Sequence, residues 1–346
     1  MKKVKINRSS GIGGQAVLEG VMMKNKDTYA VAVRKPNGEI EIEKEEFAGV
    51  MHGNKLKTVP FIRGVFNFID SLMLGMKALT FSSSFYEEDE GDETRTDRVM
   101  KKLFKDRAEK VFMGLTITFS IIMAVAIFMI LPYFLSSLLL NKFVRNMSLL
   151  AIIEGIIRIL IFVLYIVAIS AMKDIRRVYQ YHGAEHKCIN CIEKGRPLTV
   201  RNVMRSSRQH KRCGTSFMLF VMFVSVVLFF FIRVNNPLYR VLIRILLIPV
   251  IAGISYEIIR LAGRSNHILV RIISSPGMLL QRLTTKEPDE DMVEVAIASV
   301  EAVFDWKKYL LDTFGYEVDD SWLDDVSEDD RKEDADAGSS EVTKGN

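Results

Sequence analysis

Cysteine and proline are scarce in this sequence. Among its 346 residues there are only 3 cysteines and 8 prolines. Three cysteines cannot form a disulfide framework, and 8 prolines with 21 glycines exclude collagen-like and proline-rich classes. No apolar stretch follows the basic start of the chain, so no cleavable signal peptide is expected. The net charge of +5 is too small to predict nucleic-acid binding, and we expect no nucleic-acid partner.

Apolar residues, in contrast, make up 49% of the chain and are concentrated in long runs. Residues 111–140 and 214–232 contain no formally charged side chain. Residues 149–172 and 241–262 are equally apolar apart from a few charged positions. These positions are Glu154, Arg158, Arg244, Glu257 and Arg260. Because about 20 apolar residues cross the hydrocarbon core of a bilayer, the pattern predicts four transmembrane helices.

Basic residues predict the orientation of these helices. Residues 173–212, between the second and third predicted spans, hold 11 Lys or Arg against 3 acids. An excess of Lys and Arg is typical of cytoplasmic segments, so both termini and this middle segment are expected in the cytoplasm, with the protein in the inner membrane. The expected partners are therefore the bilayer and anionic lipid at the basic segments, with other membrane proteins or a second copy of the chain as further candidates.

The fold class predicted from these patterns is mainly α, a polytopic membrane protein with a small strand-rich cytoplasmic unit at the amino terminus. In that unit, residues 29–34 and 39–43 alternate like strands, and Pro36, Asn37 and Gly38 between them indicate a hairpin turn. Amphipathic or interfacial helices are predicted at residues 59–81, 268–283 and 292–314. The predicted division has six parts: a strand-rich unit at 1–57, an interfacial helix at 58–85, an acidic linker with a basic pre-membrane segment at 86–109, the four-helix region at 110–262 with a metal-site loop at 173–213, interfacial and amphipathic helices at 263–314, and an acidic disordered tail at 315–346.

Candidate chemistry is concentrated in the middle segment. His182 and His186 are four residues apart, so on a helix their rings share one face and can chelate one ion. Glu185 between them could orient or deprotonate a water at that ion. This H-x-x-E-H order is the reverse of the common metalloprotease motif, and the ligand types favour zinc as the divalent metal.

The remaining metal ligands are open at this point. His210, Cys213 and Glu257 are candidates for a third ligand that would leave one coordination position for water. Alternatively, the four residues Cys188, Cys191, His210 and Cys213 have the spacing of a closed structural zinc site. Glu257 also has a simpler explanation, an ion pair with Arg260 one helical turn away.

Three blocks of the sequence carry a family resemblance. The blocks at residues 13–23 (GGQAVLEGVMM), 181–187 (YHGAEHK) and 212–217 (RCGTSF) together resemble the YqhQ family of bacterial membrane proteins. The likeness covers roughly residues 11–298. That family has a domain of unknown function and is described as predicted metal-dependent enzymes. The resemblance implies a site made of His182, Glu185, His186, His210 and Cys213, and its shared blocks do not centre on Cys188 and Cys191.

The sequence thus favours a membrane-embedded, zinc-dependent enzyme, a hydrolase with Glu185 as general base, acting on a membrane-proximal substrate at the cytoplasmic face. The alternative is a non-catalytic scaffold or assembly factor in which a structural metal or a hydrogen-bonded His and Cys cluster holds the middle segment. Metal transport is a weaker alternative, because ionisable residues inside the predicted bundle are few.

Overall fold

The computed structural model describes residues 9–86 except 52, 108–140, 147–264 except 233 and 235, and 267–318. These residues are mainly helical, with one four-stranded antiparallel sheet near the amino terminus. They divide into two compact units, and each unit is built from more than one segment of the chain. The acidic run at 87–93, His52 and the tail beyond residue 318 lie outside the described residues.

The first unit contains the sheet. Its strands β1 (Gly13–Val17), β2 (Gly20–Asn25), β3 (Thr28–Arg34) and β4 (Ile40–Glu46) lie in chain order, each antiparallel to the next. Gly20 pairs with Val33 and Arg34 with Ile40, so the register follows from three short hairpins. The predicted hairpin between β3 and β4 is confirmed, and Gly38 adopts a φ of 89° in its turn.

Strand β3, which the sequence predicted over residues 29–34, is buried along most of its length. Five consecutive residues, Tyr29 to Val33, are buried. The alternation is between large and small apolar side chains, not between apolar and polar ones. The strand is therefore central, whereas β4 carries the exposed charges at the edge.

Two helices from distant parts of the chain complete the core of this unit. They are α5 (Lys173–Glu193) and α11 (Glu290–Val303), and α11 packs on β2 and β3. Their apolar side chains form one buried cluster with those of the sheet. The unit thus joins residues 9–48, 177–210 and 285–318, which the sequence had placed in three separate pieces. None of these segments buries its apolar face within itself.

The carboxyl-terminal part of this unit also corrects a prediction. Residues 292–314 were expected to form one helix, but α11 ends at Val303 and α12 (Trp306–Phe314) follows it. Phe304 is extended, and the Asp305 side chain accepts a hydrogen bond from the Lys308 amide and so begins a new helix. A short helix, α6 (Val200–Met204), also belongs to this unit.

The regular secondary structure in the described residues of the second unit is helical, and this unit contains the apolar runs. Its helices are α1 (Ile62–Ser83), α2 (Ala108–Val125), α3 (Leu131–Leu140), α4 (Met147–Ser170), α7 (Gly214–Phe231), α8 (Pro237–Leu246), α9 (Ile248–Arg264) and α10 (Ile268–Thr284). One π-helical turn, Ala126–Ile130, joins α2 to α3. Helix α7 packs against α4, α9 and α10.

Three helices of this unit are long and apolar enough to cross a membrane. They cover Gly114–Ser136, Leu149–Ser170 and Gly214–Phe231. A fourth candidate is the pair α8 and α9, which is bent by 42° at Leu247. Three of the four predicted apolar helices are therefore present, and the fourth is divided into α8 and α9; the predicted helices near residues 59–81 and 268–283 are also present.

Candidate metal centre

The two histidines of the H-x-x-E-H motif lie on α5, as their spacing predicted. Their ring centroids are 4.4 Å apart. His186 is 1% exposed, whereas His182 is only partly buried. Gly183 between them lies where residues 285–288 cross the helix, since a Cβ there would be 2.0 Å from the Lys286 carbonyl oxygen. The Lys286 amide donates to the Tyr179 carbonyl oxygen at this crossing, 2.8 Å away.

A backbone contact determines which nitrogen of His186 can bind a ligand. The Nδ1 atom is 2.7 Å from the carbonyl oxygen of Arg208. A carbonyl oxygen can only accept a hydrogen bond, so Nδ1 carries the proton and donates it. In the neutral ring, Nε2 then presents a lone pair. Histidines that bind metals are commonly held in this way, with the second nitrogen donating to a carbonyl group.

The segment that supplies this carbonyl group is itself held to α5. The Asn190 side-chain amide donates to the carbonyl oxygens of Ser207 and Gln209, at 2.6 and 2.9 Å. Lys187 Nζ donates to the Met204 carbonyl oxygen at 2.6 Å. The Arg208 carbonyl group is therefore fixed by hydrogen bonds on both sides of it along the chain.

His210 brings a third ring to the same side of α5. Its centroid is 5.8 Å from that of His186, and the residue is 7% exposed. Its Nε2 is 3.5 Å from Glu193 Oε2, while Glu193 Oε1 accepts hydrogen bonds from both the amide and the hydroxyl of Ser10. The structure therefore brings together three of the histidines that the sequence selected, at His182, His186 and His210.

Glu185, the candidate general base, is 4% exposed and lies against strand β1. A Cβ atom on Gly14 would be 3.1 Å from Glu185 Cγ and 2.5 Å from the Met22 carbonyl oxygen. Glycine at position 14 thus allows β1 to approach the carboxyl-bearing side chain closely. In the sequence, the GGQAVLEG block carried only a family resemblance, and the contact with Glu185 was not predicted.

Cys188 and Cys191 occupy the hydrophobic core of the first unit. Both are fully buried, and Cys191 Sγ donates to the Pro197 carbonyl oxygen at 3.3 Å. Burial raises the pKa of the Cys188 thiol well above its ordinary value and that of Cys191 to about 11. Metal ligation needs the thiolate, which this environment disfavours. No group of three candidate ligands among the described residues includes either cysteine.

Two other candidate ligands belong to the second unit. Cys213 is the residue before α7, is 4% exposed, and has its Sγ 3.1 Å from Thr215 Oγ1. Glu257 on α9 is bound by both Nε and Nη2 of Arg63, at 2.6 and 2.5 Å. The predicted partner Arg260 is 4.0 Å away, so the main ion pair of Glu257 is with Arg63.

Sequence reasoning missed two sets of contacts around this site. Lys187 is 3% exposed and forms an ion pair with Glu287. The one signal for Lys187 in the sequence is its position in the YHGAEHK block. Arg177 binds both carboxylate oxygens of Glu19, and Tyr181 also donates to that carboxylate at 3.2 Å. Glu19 sits in the tight turn between β1 and β2 with a φ of 48°, where its side chain ties the first hairpin to α5.

Comparison with known proteins places these residues in a family. Residues 59–306 match the family described as "Protein of unknown function (DUF1385)". The chain belongs to this family. It is also 37% identical over 290 residues to "Uncharacterized protein YqhQ" of Bacillus subtilis (strain 168). The matched residues cover 83% of this chain and 90% of that protein. No solved structure matches the chain. The YqhQ-like resemblance seen in the three sequence blocks is thereby confirmed.

Proposed function

We propose that this DUF1385 protein is a multi-pass membrane protein whose chain crosses the bilayer four times. Residues 9–48, 177–210 and 285–318 form one compact unit, so all three segments must lie on one side of the membrane. The chain between the first two contains two candidate spans, which return it to that side. Between the last two, a single crossing by α7 would need a return crossing, and the bent pair α8 and α9 is the candidate span that supports it. The basic excess of the middle segment places this side in the cytoplasm.

At the cytoplasmic face we propose a divalent metal site, most favourable for zinc, with His182 and His186 as ligands. The observation that carries this proposal is the hydrogen bond from His186 Nδ1 to the Arg208 carbonyl oxygen, which leaves Nε2 for coordination. The third ligand is His210 or Cys213. These residues are three positions apart, so the chain cannot separate their Cα atoms by more than about 11 Å.

The chemistry that fits this site is hydrolysis of a membrane-proximal ester, amide or phosphoester bond. A zinc ion would act as a Lewis acid and lower the pKa of water at its open position. Glu185, adjacent to His186 in the H-x-x-E-H motif, would accept the proton from the attacking water. Only if Cys213 is the third ligand would His210, whose Nε2 lies 3.5 Å from Glu193 Oε2, be placed to return that proton to the leaving group.

Metal content of the purified protein tests this proposal. We expect about one zinc per chain in the wild type and loss of that zinc in the double variant His182→Ala/His186→Ala, measured by inductively coupled plasma mass spectrometry. Glu185→Gln should retain the metal and lose turnover of lipid-ester and peptide substrates. His267→Ala is the matched control, since His267 is an exposed histidine. Zinc retained in the double variant would contradict the ligand assignment.

A non-catalytic role is the second candidate, and one observation favours it. Glu185 is packed under Gly14, and α5 is tied to residues 204–209 by hydrogen bonds that need no metal. A scaffold of this kind would have a fully protein-ligated ion or none. In that case a strain carrying Glu185→Gln would be indistinguishable from the wild type, whereas the hydrolase predicts the phenotype of a deletion.

A further inference from the structure

Three helices of the second unit bring a separate group of charged side chains together. Glu154 and Arg158 on α4 and Arg244 on α8 are each no more than 5% exposed. Arg158 Nη2 donates to Glu154 Oε1 at 2.7 Å. Arg244 binds the same carboxylate with both terminal nitrogens, at 2.7 and 2.9 Å. Glu154 and Arg158, one helical turn apart on α4, are therefore two of the three members of one cluster.

This cluster has more positive than negative charge. Two guanidinium groups share one carboxylate, which leaves a surplus of one positive charge. The surrounding chain cannot supply a second carboxylate, since residues 110–153, 155–173 and 194–256 contain no Asp or Glu. An unbalanced charge inside apolar helices is costly, and such residues usually mark a site for an ion or substrate.

Arg158 also has an unused hydrogen-bond donor. Its Nη1 donates to Ser225 Oγ on α7 at 2.9 Å, and its Nη2 is used by Glu154. Its Nε atom is buried and has no hydrogen-bond partner among the residues that the structure describes. Because buried N–H groups are nearly always paired, this nitrogen indicates an acceptor that the chain itself does not provide.

Aromatic rings and a third arginine extend the cluster towards the surface. The Phe229 ring lies 5.0 Å from the Arg158 guanidinium and 4.7 Å from that of Arg244. Tyr133 lies 5.6 Å from Arg244 and 5.1 Å from Arg240, which is only partly buried. Arg240 precedes Arg244 by one helical turn and donates to the Val234 carbonyl oxygen. The arginines thus form a row from the partly exposed Arg240 to the buried Arg158.

We propose that Arg240, Arg244 and Arg158 form a binding site for a phosphate group. The planar guanidinium group of arginine can donate two parallel hydrogen bonds to the oxygens of a phosphate. The aromatic rings beside these guanidinium groups limit the access of water to them. The proposal rests on the membrane placement above, under which Arg240, near the start of α8, would lie towards the extracytoplasmic face. The phosphate can come from the headgroup of an anionic lipid in the outer leaflet or from a free phosphate ion. Glu154 holds the two buried guanidinium groups together when the site is empty.

Binding to purified protein in maltoside micelles, which contain no phosphate, tests this site. The probes are short-chain phosphatidylglycerol, counted on the protein by native mass spectrometry, and inorganic phosphate, followed through the rise in Tm. We expect one phosphatidylglycerol to be retained per chain and Arg244→Gln to weaken this binding about tenfold or more. Arg244→Lys, which keeps the charge and loses the fork, should show a smaller loss and guards against misfolding of the glutamine variant. Arg260→Gln is the control, an arginine outside the cluster that should bind as the wild type does.

Glu154→Gln separates a phosphate site from a purely structural ion pair. Removal of the competing carboxylate should tighten phosphatidylglycerol binding several-fold and make Tm strongly dependent on the added anion. A Tm rise with phosphatidylglycerol alone identifies the lipid as the source, and an equal rise with inorganic phosphate identifies the free ion. The site is disproved if the wild type responds to neither probe, or if Arg244→Gln binds both as well as the wild type. Zinc content is measured on the same samples, so failure of the metal site is recognised separately.

Discussion

At the residue scale, the properties of His186 come from a group that is distant in sequence. The Arg208 carbonyl oxygen, 22 residues away, accepts the Nδ1 proton and so determines which nitrogen can bind an ion. The spacing of His182 and His186 could be recognised directly from the helix period. The tautomer could not, because it depends on a loop whose position is set by Asn190 and Lys187.

The buried thiols lead to a prediction about alkaline pH. Burial raises the pKa of Cys191 from 9.0 to about 11, and the pKa of Cys188 rises for the same reason. A thiol that ionises more readily in the unfolded chain stabilises the fold below pH 9, and this contribution disappears as the pH rises towards 11. The shift for Cys191 corresponds to about 2–3 kcal/mol. Tyr29 and Tyr181, whose pKa values are also raised mainly by burial, act in the same direction.

Thermal unfolding measured from pH 8 to pH 11 tests this prediction. The wild type should lose stability steadily above pH 9. Cys191→Ser, which keeps a donor for the Pro197 carbonyl oxygen but has no group that titrates in this range, should lose less over the same interval. Parallel profiles for the two proteins would show that Cys191 does not contribute to the pH dependence.

At the scale of secondary-structure elements, strand β1 and helix α5 approach each other through a single glycine. Gly14 faces Glu185 and the Met22 carbonyl oxygen, whereas a Cβ on the neighbouring Gly13 would meet nothing within 4 Å. The two glycines therefore form a matched pair within one strand. An alanine methyl group would contact neighbouring atoms at position 14 but not at position 13.

We expect Gly14→Ala to lower the free energy of unfolding by about 1–3 kcal/mol, because the backbone of β2 must move to admit the Cβ. The same variant should reduce zinc binding or activity by displacing Glu185. Gly13→Ala should stay within about 0.5 kcal/mol of the wild type, as surface substitutions usually do. Denaturant titration followed by circular dichroism measures both. Equal losses in the two variants would mean that the effect is general to β1 and does not come from the contact with Glu185.

Two helix breaks were not predicted, one between α8 and α9 and one between α11 and α12. The apolar run at residues 241–262 predicted one straight span, but the structure has α8 and α9 with a bend of 42° between them. Apolar residues continue through Leu247, so hydropathy does not reveal the bend, but Pro249 in the first turn of α9 is a local signal for the start of a new helix. The break between α11 and α12 has a signal in the sequence, because aspartate is a preferred N-cap residue. Asp305 accepts a hydrogen bond from the Lys308 amide, three residues further along the chain.

At the scale of the whole molecule, one compact unit joins three segments that are separated by the apolar helices. Under the proposed membrane placement, each stretch of chain between these segments would cross the bilayer an even number of times, and the three or four candidate spans are compatible with four crossings. It also explains why the amino-terminal sheet cannot be treated as an independent domain. The buried faces of β2 and β3 are covered by α11, which begins at Glu290.

Side-specific cysteine labelling tests this topology. Asn236→Cys, at the exposed start of α8, should react with a membrane-impermeant maleimide in intact cells. Asn37→Cys, in the exposed turn between β3 and β4, should react only after the membrane is opened. The native cysteines are buried and give a low background. Labelling of both positions in intact cells would overturn the proposed orientation.

The sequence by itself determined the features that depend on short-range periodicity. It located the apolar helices, the β3–β4 hairpin and the pair of histidines on one helix face, because side-chain direction repeats every two residues in a strand and every 3.6 in a helix. Only the tertiary structure decided how residues 9–48, 177–210 and 285–318 combine, which nitrogen of His186 is protonated, and that Arg244 joins Glu154 and Arg158. These features arise from contacts between residues 22 to about 270 positions apart. Such contacts follow from the packing of whole elements, and no local pattern in the chain encodes them.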